Sequence, residues 1–242
     1  MPQSSSTPPT AVLVHGAFAD SSSWNGVVTR LSEQNIRTVA AANPLRGLAH
    51  DAGYVRELLA SVDGPVVLVG HSYGGAVISA AAVGADNVKA LVYVAAFLPE
   101  PGESAADLSG RFPGSTLGET LREVPVTLAD GSKATDCYID VDRFHGQFAA
   151  DVPEEVARVM AVTQRPITAE ALAEKATEAA WKTLPSWVLV SQGDQNIPPQ
   201  AQSFMAERAG AQTVTVEASH AVSVSQPDAV AGLITEAVQG TS

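Results

Sequence analysis

PVVLVGHSYGGAVISAAAVG, residues Pro65 to Gly84, decides how this chain is read. Pro65 to Val69 is an apolar, β-branched run of strand length. Gly70-His71-Ser72-Tyr73-Gly74 follows, and a run of small residues with helical character starts at Gly75. The pattern is G-x-S-x-G in the setting that gives it meaning, strand to tight turn to helix. Gly70 and Gly74 remove Cβ atoms where strand and helix must approach each other. Ser72 is thereby expected at a strained corner with its hydroxyl free of the sheet and a helix start just behind it. The backbone N–H groups there point at any negative charge that develops on a reacting group. A bare G-x-S-x-G arises by chance about one time in ten in a chain this long, so the flanking strand and helix carry the signal.

On either side of this stretch, strand and helix patterns alternate. Strands are expected over Thr10–Val14, Ile36–Ala41, Pro65–Val69 and Val88–Phe97, and helices over Trp24–Gln34 and Asp51–Val62. From Pro99 to about Thr183 the alternation fades into a stretch rich in Pro, Gly, Asp and Glu. Helical segments are expected there around Glu154–Thr163 and Ala169–Ala180. Regular order returns with a strand at Ser186–Val190, a helix at Pro199–Gly210, a strand at Thr213–Glu217 and a helix at Gln226–Gln239. Apolar strands alternating with helices imply an α/β protein, a mainly parallel sheet with helices on both faces. The expected organisation is a short disordered lead-in over residues 1–9, a core of residues 10–98 and 184–242, and a helical lid or cap of residues 99–183.

Composition narrows the function. The chain has 242 residues, 45% hydrophobic and 17% charged, with a net charge of −12. That balance suits a globular domain with a large core. It is wrong for a nucleic-acid binder, because an acidic surface repels phosphate and no Lys/Arg cluster relieves it. No apolar run is long enough to span a bilayer. Cys137 is the sole cysteine, so no intramolecular disulfide forms, and a buried free thiol is its expected state. The histidines show no metal-ligand spacing. The start, MPQSSSTPPT, has neither a basic region nor an apolar core of the signal-peptide kind, and a cytoplasmic location is expected.

In parallel sheets ligands bind beyond the carboxyl ends of the strands. Three such ends carry reactive groups: Ser72, then Asp194 in Gly193-Asp194-Gln195-Asn196-Ile197-Pro198, then His220 in Ala218-Ser219-His220. A serine hydroxyl is a weak nucleophile that needs a base within reach, and imidazole serves. The imidazole in turn needs a carboxylate to fix its tautomer and balance its charge. Ser72, His220 and Asp194 supply these roles, with Glu100 as the second candidate acid. Pro99 and Pro101 suggest a hinge there instead. Acyl transfer also needs oxyanion donors. The N–H of Tyr73 is one, and the N–H of Ala17, in the loop His15-Gly16-Ala17-Phe18, is the other, with Phe18 N–H as its alternative. His15 is expected to brace that loop and His71 to pack. His50 and His145 are expected in solvent. Phe18, Tyr73, Phe144, Phe148 and Trp181 are the candidate pocket walls.

The segments VLVHGAFADSSSW, NPLRGL, VLVGHSYGGAVI, G-D-x-x-I-P-P and SHAVSVSQPDAV resemble the α/β-hydrolase superfamily. They are most similar to small bacterial esterases and to plant methylesterases with their hydroxynitrile-lyase relatives. The resemblance runs along nearly the whole chain outside residues 99–183. It implies a Ser72–Asp194–His220 triad, an oxyanion hole at Ala17 and Tyr73, and neither metal nor organic cofactor. The lyase relatives place Thr after the first-strand histidine and Lys after the catalytic one, where this chain has Gly16 and Ala221. Without a cation to receive cyanide, lyase chemistry is disfavoured. The expectation is a cofactor-independent serine carboxylesterase acting on a small-molecule ester or lactone. A metal-free perhydrolase of the haloperoxidase type, another non-hydrolytic enzyme of the fold, and a catalytically idle ligand-binding protein are the alternatives.

Overall fold

A computed structural model describes residues 9–241 of the chain. Of the lead-in expected over residues 1–9, all but Pro9 lies outside the described residues, and Pro9 is buried against the start of the first strand.

The amino-terminal part runs β1 (Thr10–Val14), α1 (Asn25–Glu33, entered through a 3-10 turn at Ser21–Trp24), β2 (Arg37–Ala41), α2 (Leu48–Ala60), β3 (Val66–His71), α3 (Tyr73–Ala81) and β4 (Val88–Val94). The segment that follows carries α4 (Ala105–Ser109), β5 (Leu121–Thr127), β6 (Lys133–Ile139), α5 (Val141–Phe148), α6 (Glu154–Thr163), β7 (Ile167–Thr168) and α7 (Ala169–Ala173). The regular order then resumes with β8 (Ser186–Ser191), α8 (Pro199–Arg208), β9 (Gln212–Val216), α9 (Val222–Ser225) and α10 (Pro227–Gly240).

Among the described residues, six strands form one sheet in the order β2-β1-β3-β4-β8-β9, each pair parallel. The two-residue period of a strand divides each central strand between two cores. Leu13, Val67, Val69 and Val92 pack with Trp24, Val27 and Leu31 of the α1 side and Val230 and Ile234 of α10. Val12, Val14, Leu68 and Leu91 face the other way, onto Val55 and Leu59 of α2, Val77 of α3 and Met205 of α8. Burial on both faces is why these strands read as unbroken apolar runs. Each fully buried Val or Leu side chain contributes about 1.5–3 kcal/mol. β2 and β9 lie at the edges, are largely exposed, and mix Thr, Arg and Gln with Val.

Two boundaries differ informatively from expectation. β3 continues to His71 and α3 begins at Tyr73, so the whole turn between them is Ser72. α2 begins at Leu48 rather than Asp51, because a distant group caps it. Glu174 accepts from the N–H groups of Leu48 at 2.6 Å and Ala49 at 3.1 Å.

The segment between β4 and β8 holds more strand than expected. β5, β6 and β7 form a three-stranded antiparallel sheet. β5 is mostly exposed and contains Pro125, so it shows no apolar alternation. The helix expected over Ala169–Ala180 ends at Ala173, where Glu174 adopts an extended backbone. The segment is tied to the loop after β2. Arg46 pairs with Asp136 and donates to the Pro166 carbonyl at 2.8 Å, and Thr168 N–H donates to the Leu45 carbonyl at 3.2 Å. Cys137 lies buried in β6 as a free thiol. No helix among the described residues is long and apolar enough to cross a membrane.

Candidate active site

Parallel strands bring their carboxyl ends to one edge of the sheet, and the loops leaving β1, β3, β8 and β9 meet there. Ser72 leaves β3 with φ 54° and ψ −125°, a conformation that costs a non-glycine residue on the order of 1–3 kcal/mol. Three backbone hydrogen bonds hold it. Its N–H donates to the Val94 carbonyl, and its carbonyl accepts from Gly75 and Phe97. Gly70 makes the corner possible: a Cβ there would lie 2.6 Å from the Gly74 carbonyl oxygen. Gly16 does the same for the β1 loop, where a Cβ would lie 2.6 Å from Ser72 Cβ.

Ser72 Oγ is 2.8 Å from His220 Nε2, and His220 Nδ1 is 2.7 Å from Asp194 Oδ2. Asp194 is buried with four donors around it. Oδ1 accepts from the N–H groups of Asn196 at 2.7 Å and Ile197 at 2.9 Å, and Oδ2 accepts from His220 and from Gln202 Nε2 at 2.8 Å. With Oδ2 as acceptor, the His220 proton sits on Nδ1. The Nε2 lone pair then faces the Ser72 hydroxyl. The loop that carries His220 is locked to its neighbours. Ala221 N–H donates to the Phe148 carbonyl, and Gly193 N–H to the Ala218 carbonyl. Glu100, the second candidate acid, is elsewhere, paired with Lys182.

Ala17 and Tyr73, the residues expected to supply the two oxyanion donors, line the same cavity as Ser72. Tyr73 opens α3, so its N–H has no carbonyl within the helix. In the β1 loop the Phe18 N–H donates to the Arg165 carbonyl at 3.0 Å, which leaves the Ala17 N–H as the available donor. The other histidines do structural work. His71 donates from Nε2 to the His220 carbonyl at 2.8 Å, and burial pushes its pKa down to about 3. His15 bonds the Gly16 carbonyl through Nδ1, its own carbonyl accepts from Asn43, and burial lowers its pKa to about 4. His145, expected in solvent, bonds the Val152 carbonyl, while His50 is exposed beside Asp51.

A cavity of about 470 Å³ opens over Ser72. Ala17, Phe18 and Tyr73 line it from the core, and Ala105, Phe112 and Leu121 from the segment between β4 and β8. Three of the expected wall residues do not line it. Phe148 packs edge-on to the His220 ring at 5.0 Å, Phe144 stacks on Phe148, and Trp181 donates to the Pro99 carbonyl beside Arg208. All three are buried, as their type demands; Phe148 and Phe144 back the His220 ring, while Trp181 packs elsewhere. Sequence reasoning missed Gln202, whose Oε1 also accepts from Ser191 N–H. It also missed Gln147 and Asn196. A buried amide carries no composition signal, and only its position one helical stretch beyond Asp194 hints at Gln202. Among the described residues, no three His, Cys, Asp or Glu side chains converge as a metal site would require.

The model of the alpha/beta hydrolase family matches residues 11–233. The chain is 27% identical to alpha/beta hydrolase nvfD of Aspergillus novofumigatus over 95% of this chain and 96% of that one. It is 34% identical to the carbendazim hydrolyzing esterase of a Nocardioides species, over 38% of this chain and 44% of that one. Its fold is similar to that of polyneuridine aldehyde esterase, with a TM-score of 0.82 at 18% identity, covering 95% and 99% of the two chains.

Proposed function

Because the chain belongs to the alpha/beta hydrolase family, we propose that it is a cofactor-independent serine carboxylesterase acting on a small-molecule ester or lactone. One observation carries the reading: the continuous hydrogen-bond relay from Ser72 Oγ through His220 to Asp194, buried from end to end. A ligand-binding protein has no use for all three groups in that register. The esterase named among the sequence relatives agrees with it.

In this mechanism Ser72 Oγ attacks the ester carbonyl while His220 Nε2 takes its proton. Asp194 stabilises the imidazolium and keeps its orientation. The tetrahedral oxyanion sits between the N–H groups of Ala17 and Tyr73, donors already in place before charge develops. His220 then protonates the leaving alcohol. A water deprotonated by His220 attacks the acyl-enzyme and releases the acid. The segment of residues 99–183 acts as the lid, since it builds the outer wall of the cavity.

Ester hydrolysis with Ser72→Ala and Asp194→Asn tests this. Ser72→Ala removes the attacking oxygen and little volume, and activity should vanish with the fold intact by circular dichroism. Asp194→Asn should lower kcat about 10³–10⁴-fold, because the amide turns the imidazole to the wrong tautomer. Near-normal turnover of short p-nitrophenyl esters by Ser72→Ala overturns the reading.

A further inference from the structure

The cavity over Ser72 contains a side-chain donor that the protein leaves unused. We infer that this donor, Asn196 Nδ2, recognises an uncharged acceptor oxygen on the substrate. The inference rests on the reading of Ser72 as the nucleophile of ester hydrolysis.

Asn196 lines the cavity and is 3% exposed. A chain of hydrogen bonds anchored on the backbone fixes the direction of its amide. The Gln195 carbonyl only accepts, so the Gln147 atom 3.0 Å from it is the Nε2 amine. The same Nε2 lies 2.7 Å from Asn196, so the Asn196 atom it meets is Oδ1. Thr116 Oγ1, donating to Gln147 Oε1 at 2.8 Å, fits the same assignment. Asn196 Nδ2 is therefore turned away from Gln147, on a residue that lines the cavity. It meets no protein acceptor among the described residues.

The other polar groups on the wall are committed. Ser115 Oγ donates to the Asn196 carbonyl at 2.9 Å, Ser109 Oγ approaches the same oxygen at 3.5 Å, and the Tyr73 hydroxyl donates to Asp51 at 3.0 Å. Ser72 belongs to the relay. Thus Asn196 Nδ2 is the free side-chain donor among the described cavity residues. Among the described residues, no Asp, Glu, Lys, Arg or His side chain lines the cavity. A carboxylate would lose its hydration there with no cation to pair with, whereas an ether, ketone or hydroxyl oxygen would not. A donor in the cavity wall with no protein partner is met by a ligand that supplies one acceptor there. The substrate class is an apolar ester with one neutral acceptor oxygen outside the scissile group.

The test compares esters that differ by one oxygen. One pair is p-nitrophenyl 3-methoxypropanoate against the pentanoate; the other is 2-methoxyethyl acetate against butyl acetate. The ether oxygen is walked along each chain. The readout is the kcat/KM ratio of ether to hydrocarbon ester in wild type, in Asn196→Leu, and in the isosteric Asn196→Asp, which keeps the Gln147 contact but presents an acceptor. At one or more positions the wild-type ratio should exceed that of both variants 10–100-fold. A merely structural role for Asn196 would lower both esters together and leave the ratio unchanged. Equal ratios in wild type and variants at every position overturn the assignment while the esterase reading stands. No turnover of any ester by wild type overturns both.

Discussion

At the scale of single residues, Ser72 has two buried imidazoles close by along the chain and in the β1 loop. His71 precedes it, and His15 lies in the loop that Gly16 brings against it. Burial holds the His71 pKa down to about 3 and the His15 pKa to about 4, against 6.5 for a free imidazole. The unfolded chain therefore binds protons below pH 6.5 that the folded chain refuses. The stability these groups allow is fully present above pH 6.5 and is lost as pH falls toward 4 and then 3, by an amount on the order of several kcal/mol. His71→Gln keeps a donor for the His220 carbonyl and cannot titrate. Its melting temperature should fall less steeply than that of wild type between pH 6.5 and 4.5, a window above the ordinary carboxylate range. Parallel curves would show that His71 does not carry the effect. The same scale shows what the sequence makes legible. Ser72 stands out by its G-x-S-x-G turn and Asp194 and His220 by their places after strands and the roles a serine needs filled, and together these predicted their meeting. Phe144, Phe148 and Trp181 announced burial by their type but not on which side of the site they would lie. Asn196 and Gln147 announced nothing, because each amide takes its meaning from a partner 49 residues along the chain.

At the scale of elements, the contacts that cross between segments are the ones hidden from sequence. The β1, β3, β4 and β8 strands were readable because burial on both faces demands unbroken apolar runs. β5 and β6 were not, because one is mostly exposed and the other alternates only weakly. The start of α2 was missed for a related reason: its cap is Glu174, 126 residues away. A carboxylate bonded to two N–H groups at a helix N-terminus satisfies orphan donors and opposes the helix dipole. Glu174→Ala should destabilise the protein by about 1 kcal/mol. Faster amide hydrogen exchange should follow at residues 45–50 and in β7, the strand that bonds to the Leu45 loop. An unchanged melting temperature together with unchanged exchange at both places would deny the cap a role in joining them.

At the scale of the whole molecule, the sheet order explains why residues 148 positions apart share a hydrogen bond. With every pair parallel, the loops after β1, β3, β8 and β9 leave from one edge, and a single place collects Ser72, Asp194 and His220 beside Ala17 and Tyr73. That convergence was legible from the alternation of strand and helix, since right-handed crossovers leave few other arrangements. The cavity was not, because its outer wall depends on how residues 105–121 fold back over Ser72. The central claim is that hydrolysis passes through an acyl group on Ser72, and intact-mass spectrometry of enzyme quenched in acid during turnover of p-nitrophenyl butyrate tests it most directly. Wild type should gain the mass of one butyryl group, mapped to the peptide that carries Ser72, and Ser72→Ala should gain none. Turnover with no adduct, or an adduct on any other residue, would contradict the account.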